Sequence, residues 1–354
     1  MRKKDLINWR FNLKMDYASM IILFFIFLSS SVFSQDAQFT QFTNTPILLN
    51  PGQTGDINGE FRVGYLYRNQ WNSISSPFTT SHFFTDKKFL EERLKGNFVG
   101  GGLSMVYDNT GGGALTTTQI GLNTSYHHYL DRSLSSKIYG GIQISFFQKS
   151  LNANLLAFEN QFNYSNSDFS NTSNTDNIVS SNIVRPDFTL GAGYWKSEKK
   201  YYINAGLSAA HFTRPNLSFT GGKDLLATKW TLHADGQYNL SKFLFVTPAL
   251  MIKFQNMATQ FNFGAMLNYG FGKTFTDNIY VKTGMWFRVG DAVNFVVGLN
   301  HNNWQFNVSY DINASSLHTA SHYNGAIELS ILYTHNLFNI QKNKTRTIPC
   351  KRLF

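Results

Sequence analysis

From Gly59 onward the chain alternates, residue by residue, between apolar and polar positions. Phe61, Val63, Tyr65, Tyr67 and Trp71 fall on one side of such a zigzag, with Arg62, Gly64, Arg68 and Gln70 on the other. Ile120, Leu122 and Tyr126 oppose Gln119, Asn123, Ser125 and His127. The same contrast recurs around Phe261–Tyr269, Trp304–Ile312 and Ile327–Tyr333. A period of two with unlike faces predicts β-strands whose two sides meet different media. Segments of this kind fall near 59–71, 77–86, 98–108, 115–129, 136–148, 187–197, 200–212, 227–239, 243–255, 258–270, 279–289, 292–301, 303–312 and 322–334. The total is about fourteen, and single-chain bacterial barrels use even numbers. After the first 35 residues no apolar run approaches the roughly 20 residues that a helical span needs. A membrane crossing must therefore be made by strands, closed on themselves so that every backbone N–H and C=O is paired. The predicted fold is all-β, a transmembrane antiparallel β-barrel over 59–335.

The connections are unequal in the way such a barrel requires. Residues 149–186 and 213–226 make long connections on one side, while 130–135, 198–199 and 240–242 are short ones on the other. Long loops outside and short turns inside are the barrel pattern. One inner connection, Asp86–Asn97, is longer and charged, and predicts a short helix at the periplasmic rim. Aromatics such as Tyr129, Tyr194, Trp195, Tyr201 and Tyr202 crowd strand ends, where interfacial girdles lie. The sequence of Asp108 to Gly113 reads as a strand running into a hairpin turn.

Composition narrows the class further. The chain of 354 residues is 16% aromatic and only 15% charged, against roughly a quarter charged in ordinary globular domains. Its formal charge of +10 is concentrated at the ends, in Arg2 to Lys14 and in Lys342 to Arg352, leaving no basic stripe for nucleic acid. Basic residues, the apolar stretch Met20–Leu28 and a serine-rich run before Gln35 predict a signal peptide over 1–34. The lone cysteine, Cys350, has no internal disulfide partner.

The mature start reads Gln35-Asp36-Ala37-Gln38-Phe39-Thr40-Gln41-Phe42, then Asn50-Pro51-Gly52 and Gly55, then Arg68-Asn69-Gln70-Trp71. With Gly100 to Gly111, including Asp108, and a closing strand at Ala326–Tyr333, this resembles the PorP/SprF family of type IX secretion system membrane proteins. Ala37 stands where that family usually has proline, and Phe42 where it has tyrosine. The resemblance implies an outer-membrane component of the secretion or gliding machinery. Implied partners are outer-membrane lipid, periplasmic subunits of the system, and a secreted adhesin or other cargo bearing a sorting domain.

Candidate chemistry is sparse. His127 and His128 point to opposite faces and cannot share an ion; His318 and His322 have no metal-ligand spacing. Neither Gly100–Gly102 nor Gly111–Gly113 opens a helix, and no Gly-Lys-Ser/Thr follows, so neither is a phosphate loop. No catalytic residue, metal or cofactor is predicted. Arg62, Arg68, Lys253, Lys282 and Arg288 lie on polar faces, either as solvated lining paired with acids or as a cationic constriction. Residues 35–58, too polar and proline-broken for a lipid-facing strand, form either an unstructured lead or a plug-like periplasmic segment. The basic stretch 336–354 is predicted to be a periplasmic tail. A passive diffusion or uptake porin is the rival to a secretion component.

Overall fold

The computed structural model describes residues 36, 38–73, 76–156, 162–163, 168–169, 181–271, 279–316 and 318–335. Signal-peptide, tail and Cys350 readings, with Gln35 and most of the connection after Leu151, lie outside these residues.

Among the described residues there are sixteen strands. They are β1 (Phe61–Gln70), β2 (Phe78–Phe89), β3 (Phe98–Thr110), β4 (Leu115–Tyr129), β5 (Ser136–Leu151), β6 (Phe162–Asn163), β7 (Asp168–Phe169), β8 (Asn182–Ser197), β9 (Tyr201–Ala210), β10 (Lys229–Asn239), β11 (Leu244–Gln255), β12 (Ala258–Gly270), β13 (Ile279–Arg288), β14 (Ala292–His301), β15 (Trp304–Asn313) and β16 (Asn324–His335). β6 and β7 form a small separate ribbon within the long connection. The other fourteen close one antiparallel barrel in which β1 pairs β16, with Phe61 opposite His335 and Gln70 opposite Ala326.

The predicted alternation sorts as the sequence indicates. Leu122, Phe146 and Val297 stand outward, 68%, 63% and 58% exposed, while Asn123, Ser145 and Asn307 point inward and are buried. An apolar outer wall with a hydrogen-bonded interior is the arrangement that hydrocarbon demands. The barrel ends of β1 and β16 share the rim that carries the short turns, and Leu151, Asn182 and the connection 211–228 lie at the opposite rim.

Several expectations change in detail. Residues 86–97 contain no helix. β2 runs on to Phe89, because Asp86 and Lys87 find cross-strand partners in Arg62 and Glu60. The chain then makes one turn from Leu90 and leaves it through Gly96 at φ +98°. β8 begins at Asn182, not 187, carrying Pro186 opposite Phe146 within the wall. The aromatics near the short-turn rim also divide. Tyr194 and Tyr201 face outward, whereas Lys137, buried inside, lies under the rings of Tyr129 and Trp195 at 5.7 and 4.8 Å.

Candidate functional site: a segment threaded through the lumen

Residues 38–57 occupy the barrel interior. They descend from the long-loop rim to the short-turn rim as irregular chain with a 3₁₀ turn at Phe42–Asn44, one α-turn at Pro46–Leu49 and a second 3₁₀ turn at Pro51–Gln53. The proline at the start of each of the last two turns needs no donor there, which suits it to first helical positions. A segment so short cannot hold its shape alone. Its conformation is set by the wall.

At the long-loop end, Asp36 accepts from His211 Nε2 at 2.8 Å and pairs with Lys229. The other His211 nitrogen meets Asp187 at 2.7 Å. With both ring nitrogens on carboxylates, His211 is held as imidazolium. Burial would lower its pKa, but Asp36 and Asp187 outweigh that and raise it to about 9. Burial would raise the Asp36 carboxyl; His211 and Lys229 outweigh it and hold the group well below the usual carboxylate range.

One turn further in, Thr40 is the hub of a buried ionic network. Its backbone N–H donates to Glu328 at 2.6 Å and its hydroxyl contacts Asp311 at 2.9 Å. Arg68 pairs with both Asp311 and Glu328 and donates to the Thr40 hydroxyl at 3.0 Å. Arg288 reaches the same hydroxyl at 2.8 Å. Arg68, Asp311 and Glu328 are each at most 3% exposed. Such groups are tolerated inside only because each charge has an opposite partner and further hydrogen bonds.

Two apolar clusters grip the middle. Phe39 and Ile47 pack with Leu66, Phe84 and Leu332 on one side. Phe42 and Leu49 pack with Met251, Met266, Trp286 and Val296 on the other, with the Phe42 and Trp286 rings edge to face at 5.2 Å. Burying such side chains is worth roughly 1.5–3 kcal/mol each.

Below them the Asn50-Pro51-Gly52 turn rests on bare backbone. Asn50, wholly buried, caps its own turn by accepting from Gly52 N at 2.8 Å and donates to Ala192 O at 3.1 Å; its amide also meets His233. A Cβ on Gly191 would lie 2.0 Å from Asn50 Oδ1, and one on Gly100 would lie 2.0 Å from Thr54 O. Only glycine allows this approach. The exit is pinned by Ser125 on Thr54 O at 2.6 Å, by Gly55 N on Asp86 at 2.7 Å, and by Lys137 on Asp56. Burial would raise the Asp56 carboxyl, but Lys137 chiefly outweighs it and lowers it.

The residues singled out in the sequence therefore do not form one pocket. Asp36, Asn50, Pro51 and Gly55 mark successive points along the threaded segment, with half-buried Gln38 between the first two. Arg68 meets the segment directly, and Gln70 accepts from its guanidinium at 3.3 Å. Trp71, Asp108 and Gly111 lie instead at the long-loop ends of strands. Trp71 ends β1 at φ +59° with its N–H on Gly325 O, Asp108 accepts from Thr80 at 2.6 Å, and Gly111 opens the β3–β4 turn at φ +63°. Of the luminal cations, Arg62, Arg68 and Arg288 are ion-paired. Lys253 and Lys282 make no ion pair among the described residues.

The profile of the family "Type IX secretion system membrane protein PorP/SprF" matches residues 31–333. The chain belongs to the PorP/SprF family. The match begins before the threaded segment and ends in the closing strand, so both parts belong to the family's common pattern. PorP/SprF membership together with the closed barrel makes this chain an outer-membrane barrel of type IX secretion. No curated protein matches it. Among solved structures it is similar to the Ralstonia pickettii toluene transporter TbuX, at 8% identity over 82% of this chain and 92% of that one, with a TM-score of 0.49. The CymD monoaromatic hydrocarbon channel gives 10%, 85%, 95% and 0.46. The Pseudomonas putida toluene transporter TodX gives 8%, 83%, 93% and 0.46.

Proposed function

We propose that this PorP/SprF barrel works as an occluded docking platform and not as a conduit. The observation that carries the reading is the filling of the lumen by residues 38–57, bonded to the wall along its whole height. A diffusion porin needs a continuous wet path. Here the middle of the path is taken by Ile47, Leu49 and their apolar partners.

A stationary interior leaves the rims for recognition. The long connection 152–181 is rich in Asn, Ser and Phe with few charges, a composition suited to adaptable contact with an exported surface protein. The basic stretch 336–354, which contains no acid, suits an acidic surface on a periplasmic subunit. Because the segment before β1 is committed to the lumen, periplasmic contact falls chiefly to that stretch and to the short turns. The reading assigns no catalytic group.

Deleting 152–181 tests it. The account expects a barrel that still inserts and shows heat-modifiable mobility but no longer captures its exported partner. Undiminished capture by a correctly inserted deletion variant contradicts it.

A further inference from the structure

Across β10–β12 one stretch of the outer wall carries small or ring-closed residues at its outward positions. There Ala234 and Gly236 on β10, Pro248 on β11 and Ala265 on β12 face outward, with Pro248 directly opposite Ala265. They floor an apolar trench of about 820 Å³ whose sides include Tyr201, Tyr238, Leu250 and Phe263. The floor has no room for more side chain at Gly236, where a Cβ would lie 2.6 Å from Tyr202 O. Pro248 has no N–H to give the ladder, and β10–β11 pairing skips Gly236 and Gln237 between Asp235–Ala249 and Tyr238–Val246, with the register unchanged. A concavity here would cost contacts on every side if left empty in hydrocarbon.

The lower end of the trench has a second character. Tyr201 and Tyr238 are cross-strand neighbours, and just below them lie the turns 198–200 and 240–243, joined by Asn239 N donating to Lys200 O at 2.8 Å. Lys199, Lys200 and Lys242 are exposed on these turns, and the nearby Lys196 is tied to Glu198 at 3.1 Å. Among the described residues of these turns, four lysines stand beside one acid, and Lys242 also lies over the Phe243 ring at 5.1 Å. In two other described turns of the same rim the charges cancel. Turn 90–97 carries Glu91 and Glu92 against Arg93 and Lys95, and turn 130–135 carries Asp131 against Arg132.

An apolar trench ending at tyrosines and then at a cluster of exposed cations matches the layered chemistry of one phospholipid: acyl chain, interfacial region, phosphate. We propose that this wall holds an anionic phospholipid of the leaflet on the short-turn side, its chain in the trench over Pro248 and Ala265 and its phosphate on Lys199, Lys200 and Lys242. The occupant is a membrane lipid, and the site is independent of the docking role proposed above.

The test uses the full mature barrel, purified in mild detergent and titrated with phosphatidylglycerol or phosphatidylcholine under native mass spectrometry. Heat-modifiable mobility reports folding. Wild type should retain phosphatidylglycerol about tenfold or more over phosphatidylcholine, since lysines near the membrane surface attract anionic lipid. Ala265→Phe, which fills the trench, should lose retention of both lipids; Ala234→Leu serves the same purpose if the first variant fails to fold. Replacing Lys199, Lys200 and Lys242 together with Gln should remove the preference and leave phosphatidylcholine retention unchanged. Equal retention of the two lipids by wild type overturns the proposal, as does unchanged phosphatidylglycerol binding in the filled variant. A filled variant that keeps its lipid but loses a co-purifying membrane protein identifies a protein occupant and overturns it equally.

Discussion

The two halves of the luminal segment are held by opposite means. Asp36, Thr40 and Gln41 are fixed by charge, reaching His211, Lys229, Arg68, Arg288, Asp311 and Glu328. Residues 50–55 are fixed by shape, with an amide and a peptide turn laid on glycine backbone. The charged end is strong only while every partner is present, because each group was taken out of water to be there. The shaped end draws on charge only where Gly55 N–H meets Asp86, but it fails when a single methyl is added. A segment held in both ways resists being drawn out toward either rim, which is what an occluding element requires.

The largest effect should follow from breaking the charged end. Arg68→Ala leaves Asp311 and Glu328 buried together without their shared cation, and removal of one partner from such a network costs about 3–5 kcal/mol. Urea unfolding in detergent, followed by tryptophan fluorescence, measures it. A loss below about 1 kcal/mol would mean that the network is hydrated and the comparison is wrong.

The shaped end should fail by crowding. Gly191→Ala places a Cβ against Asn50 Oδ1, and overpacking of this kind costs about 1–3 kcal/mol. Because it pushes on the segment and leaves the strand pairing intact, it should also give intermittent ion conductance. Gly222→Ala, in the 211–228 connection with no neighbour nearer than 3.8 Å, should alter neither property.

Removing the side chain that shapes the turn is milder. Asn50→Ala deletes the cap on Gly52 and the donor to Ala192, and loss of such a cap costs about 0.5–2 kcal/mol. Asn50→Asp keeps the cap acceptor but turns a carboxylate oxygen onto Ala192 O and Leu207 O, so its loss should exceed that of the alanine variant. Identical losses for the two variants would contradict this.

The smallest effect is confined to the tip and separates the two ends by pH. The pKa of His211 is raised from 6.5 to about 9. Its tether is therefore fully present below about pH 6.5 and is lost as pH rises through about 9. Asp36 is lowered from 3.8, so its contribution is present above that value and is lost only in stronger acid. Hydrogen exchange at residues 38–41, corrected for its intrinsic pH dependence, should accelerate above pH 9 while residues 50–55 stay protected. His211→Gln should abolish the step. Acceleration of both regions together would show that the two ends do not act separately.

Much of the wall was legible because period-two alternation is a local property. Fourteen strands and the sides of Tyr65, Asn123 and Leu122 follow from it directly. The Asp86–Asn97 stretch misled for the same reason. Its charges have helical composition, but Asp86 and Lys87 are claimed by Arg62 and Glu60 on the neighbouring strand, a non-local fact. The path of the luminal segment was harder still, because it has no periodicity of its own. A signal did exist on the wall. Leu66, Phe84, Leu332, Met251 and Trp286 are apolar residues at inward positions, where a water-filled lumen would want polar ones. Read against the alternation, each marks a place where something apolar, here Phe39, Phe42, Ile47 or Leu49, has to pack. Gly100 and Gly191 carry no such mark in the sequence, and only the chain laid across them reveals the close approach.

Single-channel recording in planar bilayers tests the central claim most directly, that residues 38–57 close the lumen. The account predicts no sustained conductance from the full mature barrel and steady, ohmic conductance from a folded variant lacking 38–57. Steady conductance of equal size from both proteins would contradict it.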